Sequence, residues 1–158
     1  MPAMMRTALL SLAALITTAS PFIQGQGKDV SAVFNHQALH VRDLPKSASF
    51  YEKVLGLRRI PDPFNDDRHV FFQMGAQSEL HLIGGAKNVD KQDIVHHTAF
   101  SVPSIDDFIA RLRSMKITYF SAQSEEGKTT IRPDGIKQVY FQDPDGYWIE
   151  VNDAGRSR

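Results

Sequence analysis

Three histidines and one glutamate stand at positions related by an internal repeat, and as a set they could hold a divalent metal. His36-Gln37-Ala38-Leu39-His40-Val41 is echoed by His97-Thr98-Ala99-Phe100-Ser101-Val102, displaced by 61 residues. Val70-Phe71-Phe72-Gln73 is echoed by Val139-Tyr140-Phe141-Gln142, and eight residues past each glutamine lie His81 and Glu150. Two copies of one supersecondary unit commonly bury a shared interior. An interior carrying His36, His81, His97 and Glu150 has the donors of one divalent metal. Its nitrogen-rich character favours zinc or nickel, with iron or manganese also admissible, over calcium or magnesium. Four protein ligands permit catalysis when the metal expands its coordination to take oxygens of a small-molecule substrate. A single histidine is more often a hydrogen-bonded core or surface residue; the repeat relation among four positions reverses that balance.

The rest of the composition narrows the classes. Lys plus Arg and Asp plus Glu are 18 each, which points away from a nucleic-acid or strongly anionic partner. Cysteine is absent, so disulfides, thiolate nucleophiles and cysteine ligands are excluded together, and a metal must be held by nitrogen and oxygen. Met1 to Arg6 carries one positive charge, Thr7 to Ala19 is an apolar run too short to span a bilayer, and Thr17-Thr18-Ala19 offers small residues for cleavage. The pattern predicts a secretory signal over residues 1–26 and export, to a bacterial periplasm, of a protein that keeps no membrane segment.

Residues 30–153 read as one α+β domain of two βαβββ modules, 33–85 and 94–153. In module one, Phe34–Val41 alternates as a strand. Asp43 is a candidate N-cap, Pro45 suits the first turn, and Ala48, Tyr51, Val54 and Leu55 share one helical face before Gly56 ends it. Strands are expected at 57–60, 69–74 and 79–83. Module two repeats the order: a strand over 95–102, a helix with Ile105, Phe108, Ile109 and Leu112 on its apolar face, then strands at 117–121, 137–142 and 147–152. It carries eight additional residues in the polar stretch 122–135, which reads equally as a lid or as a solvated connection. Strand parity places Leu39, Val41, Leu80, Leu82, Phe100, Val102, Ile149 and Val151 on the helix-covered side. The opposite side receives the four candidate ligands with His40, Glu79, Ser101, Tyr140, Trp148 and Asn152. This predicts a half-open β-barrel whose concave face is lined by His40, Phe71, Glu79 and Trp148 around the metal.

His36-x-x-x-x-Val41-x-Asp43-Leu44-x-x-Ser47-x-x-Phe50-Tyr51-x-x-Val54-Leu55-Gly56-Leu57, with Asp143-Pro144-Asp145-Gly146-Tyr147-Trp148-Ile149-Glu150, resembles the vicinal oxygen chelate superfamily. Within that superfamily the chain is most similar to glyoxalase I (lactoylglutathione lyase). The resemblance implies the paired-module fold and ligands at His36, His81, His97 and Glu150. It also implies a homodimer in which one chain supplies the first two ligands and its mate the last two. The implied reaction isomerises a hemithioacetal, with Glu150 moving a proton between adjacent carbons and the metal stabilising an enediolate. The chain departs from glyoxalase I at three places: His81 replaces a glutamate, His40 replaces an arginine, and Gly85 lies where an asparagine is usual. These changes argue against glutathione as cosubstrate. Extradiol ring-cleaving dioxygenases offer an alternative, with iron(II) on His36, His97 and Glu150 and a catalytic tyrosine at Tyr140. A metal-free binding protein of the bleomycin-resistance kind is a third reading.

Overall fold

The computed structural model describes residues 31–156; the expected signal segment lies outside them. Among the described residues no helix is long and apolar enough to cross a membrane. The two modules follow one another as β1 (His36–Val41), α1 (Leu44–Leu55), β2 (Arg58–Ile60), β3 (His69–Gln73) and β4 (Glu79–Gly84). After them come β5 (His97–Ser101), α2 (Ile105–Ser114), β6 (Thr130–Ile131), β7 (Lys137–Gln142) and β8 (Trp148–Asn152).

Local chemistry starts and stops the first helix as the sequence predicts, and starts the second in a similar way. The Asp43 carboxylate accepts from the Lys46 amide at 3.0 Å, and Gly56 closes α1 in the left-handed region at φ 72°, which a side chain would resist. Ser104 caps α2 by accepting from the Asp107 amide at 3.2 Å. In each module the first strand pairs in parallel with the last, which pairs antiparallel with the third, giving sheet orders β1-β4-β3-β2 and β5-β8-β7-β6.

The half-open barrel is not what forms. There are two separate four-stranded sheets, neither closed nor curled, with no strand pairing between them among the described residues. Thr98 Oγ1 donates to Gln37 Oε1 at 2.6 Å, a side-chain link between β5 and β1. The physical reason lies on the apolar side. Leu39, Val41, Leu80 and Leu82 of the first sheet share one core with Val139, Phe141, Ile149 and Val151 of the second, together with residues of both helices. Phe50 of α1 and Phe108 of α2 both pack on Phe141, at 6.2 and 5.8 Å between ring centroids. Burial is satisfied back to back, so nothing requires the polar faces to wrap around a cavity.

A second difference concerns module two. The strand expected at 117–121 contributes only isolated bridges from Phe120 to Glu126 and Tyr140, and the edge strand beside β7 is Thr130–Ile131. Ser121 turns the chain, its hydroxyl accepting from the amides of Gln123 and Glu125. Part of the stretch 122–135, read equally as a lid or a solvated connection, is therefore sheet.

Candidate metal centre

The strand registers place each candidate ligand beside its repeat mate. On the first sheet, Ala38, His81 and Phe71 form one row across β1, β4 and β3, while His36 pairs with Glu79 in the next row. On the second, Ala99, Glu150 and Tyr140 form the corresponding row, and His97 pairs with Trp148. The predicted set is thus brought together as two pairs, His36 with His81 and His97 with Glu150, each on the open face of its own sheet. It does not converge as a quartet: among the described residues the one group of three or more close ligand atoms is Asp62, Asp66 and His69.

In the first pair the His36 and His81 rings stack, 4.3 Å apart and 13° from parallel. His81 Nε2 lies 2.8 Å from Glu79 Oε2; a carboxylate oxygen accepts, so this nitrogen is the donor and Nδ1 is the ring nitrogen turned from Glu79. His36 Nδ1 lies 2.7 Å from Asn35 Oδ1. Phe71, buried, brings its ring centroid to 3.9 Å from that of His81. His40 is exposed on the same face, one row further along.

The second pair is more constrained. His97 Nδ1 donates to the Ile94 carbonyl at 2.8 Å, which leaves Nε2 as a bare lone pair in the neutral imidazole. That nitrogen is 3.2 Å from Glu150 Oε2. Two lone pairs at this separation repel unless a cation or a proton lies between them. Glu150 is buried, and Tyr140 donates to its Oε2 at 2.6 Å while accepting from Gln138 Nε2 at 2.7 Å. Burial, then the bond to Glu150, push the Tyr140 phenol far up from its ordinary value, so Tyr140 stays a donor. Trp148 donates its indole N–H to the Gln92 carbonyl at 3.1 Å and meets the Phe120 ring edge-on at 5.7 Å. The rim beside His97 is an open cleft lined by Gln37, Gln92, His96 and Trp148.

Sequence parity put Asn152 and Ser101 on this face without a role, yet Asn152 Nδ2 donates to Glu150 Oε1 at 2.6 Å. Their signal was position, two residues beyond Glu150 and one row from it in register. The Asp62, Asp66, His69 group escaped the repeat argument because it sits partly in the β2–β3 loop. Its oxygens cap that loop, accepting from the amides of Phe64, Asp66 and Arg68, and Asp66 binds His69 at 2.7 Å.

Three imidazoles and one buried carboxylate, with Nε2 of His97 turned toward the carboxylate, are a donor set that fits a late first-row divalent metal. Hydrogen bonds to a carbonyl and to a tyrosine orient two of these candidate ligands, as the partners of metal ligands commonly do.

Comparison with known proteins agrees with the fold and leaves the chemistry broad. The uncharacterized protein YwbC of Bacillus subtilis is 31% identical over 123 residues, covering 73% of this chain and 93% of its own. A lactoylglutathione lyase of Escherichia coli O157:H7 is 31% identical over 134 residues, with 77% and 94% covered. Among solved structures, oxidase ChaP-H1 superposes with a TM-score of 0.65 at 26% identity, over 81% of this chain and 100% of that one. Relatives with different activities stand side by side, so the matches carry the superfamily and a metal-binding-capable enzyme fold rather than glyoxalase I within it. The family model spanning residues 33–151 settles membership: this chain belongs to the Glyoxalase/Bleomycin resistance protein/Dioxygenase superfamily.

Proposed function

We propose that the protein is a divalent-metal enzyme whose centre joins His36 and His81 of one copy to His97 and Glu150 of a second. Its substrate would be a small molecule with two adjacent oxygens, and the leading reaction is isomerisation of a hemithioacetal-like compound. The observation that carries this reading is the His97–Glu150 pair, with Nδ1 of His97 turned to a backbone carbonyl and Nε2 held 3.2 Å from a buried carboxylate. Zinc or nickel held there would act as a Lewis acid on the two oxygens, countering the negative charge that develops on them.

The chain's own groups supply the rest. Glu150 would take the proton from one of the two adjacent oxygen-bearing carbons and return it to the other, and Tyr140, kept protonated, steadies Glu150 Oε2. Phe71 and Trp148 form apolar walls for the substrate, and His40 and Glu79 lie on the same open face as its polar rim. The second copy enters the proposal because both candidate ligand pairs lie on faces turned away from the shared core, which supports a centre completed across a dimer. Neither His40 nor its neighbours reproduce the charges expected of a glutathione site, so the thiol component is left open. A secretory signal over residues 1–26 remains part of the proposal, and N-terminal sequencing of the exported protein tests it.

Iron(II) ring cleavage is the second reading, favoured by one observation: Tyr140 binds the carboxylate that would complete a His36, His97, Glu150 triad. Elemental analysis of the purified protein, followed by assays with a methylglyoxal hemithioacetal and with a catechol, separates the two. About one zinc or nickel per chain with hemithioacetal turnover supports the proposal. Iron with catechol cleavage replaces it, and no metal after reconstitution leaves a small-molecule binding protein.

A further inference from the structure

We infer that Asn152 is a positioning residue: anchored by Ser101, it fixes the Glu150 carboxylate in the orientation that binds metal. The inference rests on Glu150 being a ligand. Asn152 is buried, and its amide has no freedom of assignment. Its Oδ1 accepts from Ser101 Oγ at 2.9 Å and from the Ala154 backbone N–H at 3.1 Å. A backbone N–H only donates, so the oxygen must face it and the NH2 must face Glu150. The 2.6 Å contact to Oε1 is therefore a true donor–acceptor bond. With Tyr140 donating to Oε2, each carboxylate oxygen has its own donor, and the plane of the group is fixed with Oε2 toward His97.

The repeat supplies an internal control for whether the fold itself needs this network. The register places Asn152 between Ser101 and Gln138 on the second sheet, and places Ile83 between His40 and His69 on the first. Phe71 stands where Tyr140 does. Module one thus builds the same strands with an isoleucine and a phenylalanine at the positions where module two has Asn152 and Tyr140. The donors lie around the carboxylate and not around its repeat mate His81, which is backed by an aromatic ring. Their placement follows the ligand type rather than the topology, as expected for groups that orient a metal ligand.

The test is calorimetric titration of the full-length, metal-stripped protein with nickel(II) alone, with the thermal midpoint of the apoprotein measured alongside. Asn152→Ile installs the residue that module one tolerates at this place, Ser101→Ala frees the Asn152 amide from outside the buried network, and Asn152→Gln keeps an amide donor. The expected result is a loss of about 10- to 100-fold in nickel affinity for Asn152→Ile. A smaller loss is expected for Ser101→Ala, partial recovery for Asn152→Gln, and apoprotein midpoints close to wild type. Should Asn152→Ile fail to fold, the exposed Ser101→Ala decides. Wild-type affinity in the folded variants overturns the positioning role while leaving the metal centre intact. A wild-type protein that binds no nickel overturns the ligand assignment and this inference with it.

Discussion

The imidazole of His97 shows how a backbone contact sets the chemistry of a side chain. Because the Ile94 carbonyl takes the Nδ1 proton, the lone pair is presented at Nε2, toward Glu150. Removing either member should empty the centre: His97→Ala and Glu150→Gln are expected to bring bound metal from about one per chain to trace levels by elemental analysis. Unchanged metal in both would refute the ligand assignment. Tyr140 gives a second expectation at this scale. Its phenol is raised by burial and by Glu150, so it carries its proton through the whole range in which an ordinary tyrosine near 10 would lose it. The alkaline absorbance titrations of wild type and Tyr140→Phe should therefore coincide up to about pH 10, whereas a step there present only in wild type would mean that the phenol is free. That His36 and His81, and His97 and Glu150, would share a face was legible in the sequence because the repeat marks the positions twice. Gln138 and Asn152 were not, since nothing local separates a polar residue that orients a ligand from one that merely faces water.

Among the elements, the β7–β8 turn does more than connect strands. Asp145 accepts from the Arg42 amide at 3.0 Å, from Arg42 Nε at 2.9 Å and from the buried Ser47 hydroxyl at 2.8 Å. Asp143 accepts from Tyr51 Oη at 3.0 Å and from the amides of Asp145 and Tyr147. The residues by which the sequence resembles its family thus clamp α1 of one module to the turn of the other, a purpose the sequence could not disclose with Ser47 and Asp145 separated by 98 positions. Ser47→Ala removes a buried bond to a charged group and should cost about 1.5–3 kcal/mol in chemical denaturation. Arg42→Ala should cost less than about 1 kcal/mol, because the guanidinium is half exposed.

The two carboxylates also predict a stability that rises and then falls with acid. Burial raises Asp143 from its ordinary value despite its hydrogen bonds. Burial also raises Asp145, but the bonds from Arg42 and Ser47 outweigh it and hold Asp145 low. A raised carboxyl binds its proton more readily in the folded state, so stability increases as pH falls from neutrality through that folded value toward about 3.9. A lowered one contributes stability above about 3.9 that is lost as pH falls further. Asp143→Asn should abolish the rise and keep the fall; a monotonic loss of stability in the wild type would contradict the assignment.

At the level of the whole molecule, the barrel prediction failed for a reason that bears on function. Alternation tells which residues share a face, and Leu39, Leu82, Ile149 and Val151 are buried as it required. It does not tell whether two such faces curl toward each other or stand back to back, because that depends on packing between residues of different modules. Phe50 and Phe108 against Phe141, with the clamp at Asp145, choose the second arrangement. The two pairs of candidate ligands then open away from the common core, and in the proposed centre each is completed by another molecule with the complementary face. Symmetry makes this self-consistent, since a two-fold dimer pairs the first face of each copy with the second face of the other and builds two equivalent centres. Hybrid dimers test it. Co-expressing His36→Ala and His97→Ala chains under different tags, and purifying them in tandem, yields dimers in which one centre lacks both histidines and the other has all four ligands. The expected content is about one metal per hybrid dimer, half that of the wild type, while each variant alone binds almost none. If all four ligands came from a single chain, every centre in the hybrid would be broken and the metal would be absent. Failure to recover any tandem-tagged species would exclude the shared centre outright.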